Sequence, residues 1–322
     1  MKAAVRSIYG LPGDLCIKEM DIPRPADNEL LIRVHASTVN RSDCHVLRGK
    51  PFFMRLLTGL FKPRDPITGT DFAGEVESTG SAVQSFKAGD KIMGFSGGLR
   101  SGSHAQYFTL TESKAIKTMI LMPPNLSYVE AAACLEGSFY AAAVINLFKP
   151  KPGQKALVYG ATGAIGSAYV QFLKYFGVYT TAVCKGENRD LVTSLGADKI
   201  IDYTTQDFTL DSERYDFIFD AVGKSSFFKC KKLLKEKGIY TSSGGAINLL
   251  LIFVTPLFGG KKVVFSPPKS ITAELNFIKD LIMKGKFRAV IDRTYPLDKI
   301  VEAYHYVASG QKIGNVVIDM DN

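Results

Sequence analysis

Regularly spaced glycines in the middle of the chain constrain its fold more than any other feature. Gly160, Gly163 and Gly166 follow the apolar run 157–159 and lead into a helix-forming stretch that begins near Ser167. A buried strand, a turn without Cβ atoms and a helix N-terminus let the backbone approach a pyrophosphate, which free N–H groups and the helix dipole stabilise. The pattern therefore predicts a dinucleotide-binding turn, and the alternative is a glycine turn that binds nothing.

The strand after this turn indicates which dinucleotide binds. It ends at Cys184, where an NAD site usually has an acidic residue that binds the ribose 2′-hydroxyl. Lys185 and Arg189 follow and can reach a 2′-phosphate, so the sequence predicts NADPH rather than NADH. Glu187 lies close enough that NADH remains the alternative cofactor. The alternative interpretation of Lys185 and Arg189 is that they belong to an ordinary solvated loop. The residues predicted to bind the cofactor are Gly160, Ala161, Thr162, Gly163, Ala164, Ile165, Gly166, Lys185, Arg189 and Val222.

The segments on either side of residue 122 differ in their predicted pattern of secondary structure. Before it, short β-branched runs are separated by proline and glycine, which predicts an antiparallel β domain. From about residue 153, strands and helices alternate, which predicts a parallel, doubly wound sheet. The last segment is expected to return to the first domain. The predicted domains are therefore 1–122 with 287–322, and 123–286 for the cofactor.

Composition limits the kinds of binding partner and the cellular compartment that we expect for this protein. A length of 322 residues with 46% hydrophobic residues fits two globular domains and excludes disorder. The formal charge of +9 is carried by scattered cations in short pairs, so nucleic acid is not predicted. Five cysteines at irregular spacings predict neither a disulfide framework nor a cysteine-rich zinc site. The N-terminus lacks the apolar stretch of a signal peptide, and we expect a cytoplasmic protein.

Two apolar segments, 51–61 and 247–258, stand out from this composition. The second is too short to span a bilayer and contains Pro256, so no stable membrane insertion is predicted. Both segments are predicted to line one apolar pocket for a bulky lipophilic substrate. Core packing or a dimer contact is an equally weighted alternative, and transient membrane contact is the third.

Four motifs and the domain order carry a family resemblance along essentially the whole chain. The motifs are Val-Asn-Arg-Ser-Asp-Cys-His-Val-Leu-Arg-Gly at 39–49, Gly-Thr-Asp-Phe-Ala-Gly-Glu-Val at 69–76, Phe-Lys-Ala-Gly-Asp-Lys-Ile at 86–92 and Ser-Leu-Gly-Ala-Asp at 194–198. With them, the chain resembles the medium-chain dehydrogenase/reductase superfamily. The resemblance implies an α/β protein with a GroES-like β-barrel catalytic domain and a Rossmann cofactor domain, and a homodimer formed through residues 262–265.

The zinc positions of that superfamily are altered in this chain. Zinc alcohol dehydrogenases have a cysteine in the first motif and a His-Glu pair in the second, where this chain has Asn40, Thr70 and Asp71. Asparagine and threonine are poor zinc ligands, and the four cysteines of a structural zinc lobe are missing from 96–103. We therefore expect no metal. The chain then resembles the zinc-free quinone oxidoreductase and enone reductase branch, in which a tyrosine after the third strand often lies against the 2′-phosphate. Tyr203 matches that place.

The branch implies NADPH-dependent reduction of quinones or of the C=C bond of α,β-unsaturated carbonyls, with a small lipophilic substrate. Such reactions need no metal, because hydrogen-bond donors can stabilise the delocalised enolate or hydroquinone anion. The first motif faces the nicotinamide in relatives, so Asn40 is the predicted carbonyl donor. Ser42 and His45 occupy the proton-relay positions of the zinc enzymes. Asp43 and Asp71 are expected to brace the loop. A zinc-type alcohol dehydrogenase and a non-catalytic NADPH-binding protein remain alternatives.

Overall fold

The computed structural model describes residues 1–52, 54–96, 102–244, 246–258, 260–265 and 270–322. The strands are β1 Lys2–Val5, β2 Cys16–Glu19, β3 Glu29–Thr38, β4 Asp71–Thr79, β5 Lys91–Phe95, β6 Tyr107–Thr111, β7 Met119–Leu121, β8 Lys155–Tyr159, β9 Tyr179–Cys184, β10 Lys199–Asp202, β11 Tyr215–Asp220, β12 Leu234–Ser242, β13 Lys262–Val263, β14 Ile291–Pro296 and β15 Asn315–Asp319. The helices are α1 Arg41–Arg48, α2 Met54–Thr58, α3 Glu112–Thr118, α4 Tyr128–Ala133, α5 Glu136–Phe148, α6 Ala164–Tyr175, α7 Arg189–Ser194, α8 Phe227–Cys230, α9 Ala246–Val254, α10 Ile271–Met283 and α11 Ile300–Ser309.

The chain forms two compact units within these ranges. The first contains Met1–Glu136, Ser270–Met283 and Ala289–Asn322, and the second contains Gly137–Lys269 and Lys284–Arg288. The domain limits expected from the sequence, at 122/123 and 286/287, stay a prediction. Residues 97–101, part of the segment in which the structural zinc lobe is expected to be missing, lie outside the described residues.

The first unit is built on a mixed sheet. Its described strands are ordered β14-β15-β3-β4-β5-β7, and β6 pairs with β3. β3 is buried along nearly its whole length, because its ten residues pair with strands on both sides. Tyr304 and Val307 of α11 pack into the same core as Ile32 and Phe72. The returning tail therefore completes the first unit, since β15 pairs with β3.

The second unit is a parallel sheet. Its described strands are ordered β10-β9-β8-β11-β12-β13, so the order reverses at β8. Ligands of doubly wound sheets bind at such a switch point, beyond the carboxyl ends of the strands. β8 is followed at this point by the glycine turn and by α6, whose residues from Gly166 to Leu173 are buried. The sheet topology thus places the predicted cofactor turn at the expected edge.

The start of α4 and the conformation of the apolar segment 247–258 both follow from their local sequence. Ser127 caps α4, because its hydroxyl accepts a hydrogen bond of 3.2 Å from the backbone N–H of Glu130. The apolar segment 247–258 lies in α9 and in the 3-10 helix Thr255–Phe258 that follows it. An apolar run without glycine or proline before Pro256 favours a helix there. No helix in the described ranges is long and apolar enough to cross a membrane.

The cysteines are free thiols. Cys44, Cys134, Cys184 and Cys230 are buried, and Cys16 is exposed. Burial raises the pKa of the Cys44 and Cys134 thiols to about 12. It raises the pKa of Cys184 and Cys230 to about 11. The four buried thiols are therefore protonated at neutral pH.

Candidate active site

The glycine turn is closely packed against its own backbone. Gly160 has a φ of +81°, and a Cβ atom there would lie 2.1 Å from Cγ2 of Val222. A Cβ at Gly166 would lie 2.1 Å from the carbonyl oxygen of Gly160. The structure thus brings the predicted residues 160–166 and Val222 together, at the junction of β8 and α6.

The N-terminus of α6 fits an anionic group. Gly163 is the N-cap residue, and an added Cβ would approach nothing closer than the Gly160 carbonyl oxygen at 3.6 Å. The first N–H groups of any α-helix lack carbonyl partners inside the helix and carry the positive end of its dipole. The pyrophosphate of a dinucleotide needs such donors beside a turn without Cβ atoms in the way, so the residues present fit that cofactor.

Asp220, at the end of β11, was not singled out by the sequence analysis and holds the loop that carries Val222. Its buried carboxylate accepts hydrogen bonds from the backbone N–H groups of Val222 (3.1 Å), Gly223 (2.8 Å) and Ser225 (2.9 Å). The Tyr240 hydroxyl donates a further bond of 3.1 Å. An acidic residue at the carboxyl end of a parallel strand, three residues before a glycine, is the signal that could have identified it.

Asp220→Ala is expected to lower the free energy of unfolding by about 3 kcal/mol, because several buried donors lose their acceptor. The loop would also release Val222, so the affinity for NADPH should fall. Urea unfolding and NADPH titration measure the two effects. Asp190→Ala, on the exposed surface of α7, is the control and should stay within about 0.5 kcal/mol of wild type. Equal effects of the two variants would contradict this role for Asp220.

Lys185, Arg189 and Tyr203 lie around the carboxyl ends of β9 and β10. Cys184 and Asp202 are paired in register, and the Tyr203 N–H donates to the Cys184 carbonyl oxygen at 3.2 Å. The Tyr203 ring stands edge-on to Tyr159 with centroids 6.4 Å apart. Lys185 Nζ lies 3.7 Å from Glu187 Oε1, and both side chains are mostly exposed. The structure therefore gathers the predicted 2′-phosphate residues at one edge of the sheet.

Asp202 is an acid in this region that the sequence analysis did not consider. Its Oδ1 accepts hydrogen bonds from the Thr204 backbone N–H (2.9 Å) and hydroxyl (2.7 Å). These bonds, with further contributions from the Gly186 N–H and the Arg189 charge, lower the pKa of Asp202. Because its carboxylate oxygens accept hydrogen bonds from Thr204 and from the Gly186 N–H, Asp202 stabilises the loop that contains Lys185.

A second group of polar residues lies in the first unit, around the first motif. Asn40 precedes α1, and its amide nitrogen donates to Thr38 Oγ1 at 2.6 Å and to Asp71 Oδ2 at 3.0 Å. Its backbone N–H donates to Asp43 Oδ2 at 2.8 Å. Each amide hydrogen of Asn40 therefore has an acceptor inside the unit, which competes with the predicted carbonyl-donor role.

Two aspartates of this group are buried. Asp71 accepts hydrogen bonds from the Thr38 N–H (2.8 Å) and hydroxyl (2.5 Å) as well as from Asn40. Burial nevertheless raises its pKa to about 6. Burial, then the charges of Glu136 and Asp71, raise the pKa of Asp43. Both carboxyls hold backbone or side-chain donors around Asn40, in agreement with a bracing role.

Glu136, the first residue of α5, completes the group. The Ser42 hydroxyl donates to Oε1 of Glu136, and the Thr70 hydroxyl donates to Oε2 at 3.2 Å. Burial, and next the charge of Asp71, raise the pKa of Glu136 to about 7. Lys312 also faces the carboxyl, and burial lowers the pKa of its ammonium to about 8. The sequence offered one signal, an acidic residue between the apolar runs 131–135 and 139–145.

His45 lies one helical turn beyond Ser42 on α1 and is exposed. Burial of part of the ring, then the charges of Arg41 and Arg48, lower its pKa. No hydrogen bond joins His45 to Ser42 in the described part of the chain. Of the predicted relay, the structure therefore pairs Ser42 with Glu136, and it places His45 at the surface.

The residues at the zinc positions do not fit zinc. Asn40, Thr70 and Asp71 are bonded to one another or to neighbours as described above, and none is a thiolate or an imidazole. Cys44 is buried, with its sulfur 3.9 Å from the Tyr304 carbonyl oxygen. Among the described residues, no group of three or more histidines, cysteines, aspartates or glutamates is arranged to hold a metal ion.

Family comparisons agree with the two units. The profile described as "Alcohol dehydrogenase GroES-like domain" matches residues 26–123, and "Zinc-binding dehydrogenase" matches residues 195–318. A quinone-oxidoreductase, QR1, of Triphysaria versicolor is 30% identical over 94% of this chain and 92% of its own. The 2-methylene-furan-3-one reductase of Solanum lycopersicum is 32% identical over 99% of this chain and 79% of its own. An NADPH-dependent alkenal/one oxidoreductase of Arabidopsis thaliana is 29% identical over 99% and 79%.

Solved structures share the fold along the whole chain. The quinone oxidoreductase of Coxiella burnetii superposes with a TM-score of 0.87 and 26% identity, covering 99% of both chains. The Escherichia coli quinone oxidoreductase complexed with NADPH has a TM-score of 0.82 over 99% of this chain and 100% of its own, and its 20% identity supports the fold alone. The predicted α/β fold with a GroES-like and a Rossmann domain is thus confirmed. The chain belongs to the medium-chain dehydrogenase/reductase superfamily, with the quinone oxidoreductases and alkenal reductases among its relatives.

Proposed function

We propose that this protein is an NADPH-dependent, zinc-independent oxidoreductase that reduces quinones or the C=C bond of α,β-unsaturated carbonyls. One observation carries the proposal: beside the altered zinc positions, this chain pairs the Ser42 hydroxyl with the Glu136 carboxyl, to which Thr70 of the zinc positions also donates. A proton donor suits an enolate or hydroquinone anion, which needs a proton rather than a Lewis acid. Relatives named quinone oxidoreductase and alkenal/one oxidoreductase support the same substrate classes.

The second unit supplies the cofactor site in this proposal. NADPH, when bound, supplies a hydride from C4 of its nicotinamide. The turn 160–166 and the first N–H groups of α6 hold the pyrophosphate, with Val222 against the turn. Lys185, Arg189 and Tyr203 hold the 2′-phosphate. The name of the NADPH-dependent Arabidopsis relative supports this choice of cofactor.

The first unit supplies the proton. When the Glu136 carboxyl is neutral, it donates to the Ser42 oxygen, the reverse of the bond to the carboxylate. Ser42 then gives its hydroxyl proton to the substrate anion and takes the carboxyl proton, and the resulting carboxylate is reprotonated from water. Asp71 assists, because its negative charge opposes ionisation of Glu136. Asn40 and Thr38 hold Asp71 in place through hydrogen bonds. In this arrangement Asn40 positions the donor pair.

The deciding experiment compares electron acceptors and donors on purified protein. We expect oxidation of NADPH with 1,2-naphthoquinone, 9,10-phenanthrenequinone or a series of enals, and no oxidation of simple alcohols with NADP⁺. Elemental analysis is expected to find no stoichiometric zinc. Tight NADPH binding without any turnover would instead support a non-catalytic binding protein. Stoichiometric zinc with alcohol oxidation would establish the alcohol dehydrogenase alternative.

The cofactor preference has its own test. Lys185→Ala combined with Arg189→Ala should raise the KM for NADPH by at least about tenfold, because two charge-assisted contacts to the 2′-phosphate are lost. The KM for NADH should change little. Lys151→Ala with Lys286→Ala removes two exposed lysines elsewhere in the second unit and is the control. Similar changes in KM for both cofactors would remove the 2′-phosphate assignment.

Assembly and location remain proposals. The resemblance predicts a homodimer through the edge strand β13 and residues up to 265, and sedimentation equilibrium measures it. A cytoplasmic location also stays a prediction, since QR1 is named chloroplastic and other relatives are named mitochondrial.

A further inference from the structure

The second unit exposes a row of large apolar side chains along α9 and the 3-10 helix after it. Leu250, Phe253, Val254 and Leu257 are 65%, 78%, 43% and 80% exposed. Their spacing places them on successive turns of one helix face. We name these four residues the apolar stripe. Core packing, one alternative from the sequence, does not account for side chains that are between 43% and 80% exposed.

The opposite face of the same segment is anchored in the second unit. Leu251 and Ile252 pack against the core that contains Tyr240 and Val263. The buried Thr255 hydroxyl donates to the Leu251 carbonyl oxygen at 2.7 Å and accepts from the Val263 N–H at 2.9 Å. α9 is therefore held to the sheet by one face, and the apolar stripe is the face that remains.

Positive charge is concentrated in the part of the sequence that contains the apolar stripe. Residues 221–273 contain nine lysines and one glutamate, a net +8 of the formal +9 of the whole chain. Lys261 follows the stripe by four residues, and its Nζ donates to the Lys231 carbonyl oxygen at 2.8 Å, so the chain after the stripe lies against the 3-10 helix Lys231–Leu233. We name Lys231, Lys232, Lys261 and Lys262 the lysine patch.

We propose that the apolar stripe and the lysine patch together bind the surface of a lipid bilayer that contains anionic lipids. Leucine and phenylalanine side chains bury apolar area at the boundary of headgroups and acyl chains, and adjacent ammonium groups are attracted to lipid phosphates. A surface element of this kind lies in the interface. The nine residues of α9 fit that arrangement, because spanning a bilayer takes roughly twenty.

Charge distinguishes this partner from a second copy of the chain. In a two-fold symmetric dimer the same patch faces itself, so the lysines of both copies would approach one another. Between Lys237 and Ala273 the sequence has no aspartate or glutamate to offset them. An anionic membrane surface satisfies both the apolar and the charged part of the patch. A homodimer through the backbone edge of β13 would involve Lys262 of the lysine patch. The oligomeric state is therefore measured together with vesicle binding.

The chain has no tryptophan, which makes a direct test possible. Phe253→Trp introduces a single probe into the apolar stripe. Its fluorescence should shift to shorter wavelength with vesicles of phosphatidylcholine and phosphatidylglycerol, and stay unchanged with phosphatidylcholine alone. Leu210→Trp is the control, since Leu210 is 72% exposed in the same unit but lies between Asp207 and Asp211. A shift with neither vesicle, or an equal shift at both positions, would overturn the proposal.

Vesicle cosedimentation separates the two parts of the surface. Phe253→Ser with Leu257→Ser, and separately Lys231→Gln with Lys232→Gln, should each lower the affinity for anionic vesicles by about tenfold or more. Raised salt should weaken wild-type binding, since it screens the lysines. Leu210→Ser and Lys151→Gln with Lys286→Gln are the matched controls. Because every substituted side chain is at the surface, unchanged thermal unfolding and NADPH binding should show that the variants fold.

Dimerisation is the competing outcome and has a distinct result. If the stripe variant turns a dimer into a monomer while vesicle binding is unchanged, a second copy covers the stripe and the membrane proposal is wrong. Loss of vesicle binding with an unchanged oligomeric state supports it. Neither readout depends on turnover, so the inference stands or falls independently of the proposed reaction.

Discussion

Gly166→Ala is expected to lower the affinity for NADPH by about a hundredfold, the effect of overpacking by roughly 3 kcal/mol. The added methyl carbon would lie 2.1 Å from the Gly160 carbonyl oxygen and 2.9 Å from the Ala161 Cα. These are backbone atoms, which can yield only if the turn opens and α6 moves away from β8. Fluorescence titration with NADPH measures the loss, and urea unfolding measures the accompanying change in stability.

Gly163→Ala is the matched control in the same turn. Gly163 has an extended φ of −73°, and its nearest neighbour to an added Cβ is 3.6 Å away. The fold should therefore tolerate it, with stability within about 0.5 kcal/mol of wild type. Any loss of NADPH affinity in this variant would come from the ligand approaching the turn. An unchanged NADPH affinity in Gly166→Ala would show that the cofactor binds elsewhere.

Glu136→Gln is expected to lower kcat by about a hundredfold, which is typical for removal of a general acid. Glutamine keeps the size and can still accept from Ser42, but it has no proton to supply. In the wild-type protein the carboxyl ionises near its raised pKa of about 7, so kcat should fall as the pH rises through that value. The Glu136→Gln variant should lose this dependence. Stopped-flow or steady-state profiles between pH 5 and 9 measure it.

Stability should respond to the same carboxyl with a defined sign. The folded pKa of about 7 lies above the ordinary value of 4.5, so the folded state binds the proton more tightly than the unfolded state. The protonated Glu136 carboxyl therefore makes its full contribution to the free energy of unfolding below pH 4.5, and this contribution is lost as the pH rises through 7. Glu136→Gln should flatten that part of the curve. Glu130→Gln, at the exposed start of α4, is the control. It should leave the kcat profile and the stability change through pH 7 unchanged, because hydrogen bonds from Ser127 lower the pKa of Glu130 and confine its own effect to low pH.

Features that depend on neighbours in sequence could be predicted. The glycine turn is contiguous from 160 to 166, and its strand and helix adjoin it, so local pattern was sufficient. The Ser127 cap of α4 is likewise set by residues three apart. The order of the two domains could be predicted because the secondary-structure pattern changes along the chain. The family motifs supported the same order over essentially the whole chain.

Features that depend on distant contacts could not be predicted in this way. Ser42 and Glu136 are 94 residues apart, so no local pattern joins them. Asn40 has the right chemistry for a carbonyl donor, but the fold places Thr38 and Asp71 within reach of its amide hydrogens. The periodicity of the sequence cannot show that Asp71 competes with a substrate carbonyl for the Asn40 amide, because Asp71 of β4 comes within hydrogen-bond distance of Asn40 only in the folded sheet.

The burial of the thiols has a consequence for a protein that handles electrophiles. Quinones and α,β-unsaturated carbonyls add to thiolates, and the neutral thiol is a much weaker nucleophile. Cys44, Cys134, Cys184 and Cys230 are both out of solvent and held protonated, with pKa values of about 11 to 12. Alkylation by the substrate should therefore be confined to Cys16 at the surface, and the core is protected from the molecules that the enzyme is proposed to reduce.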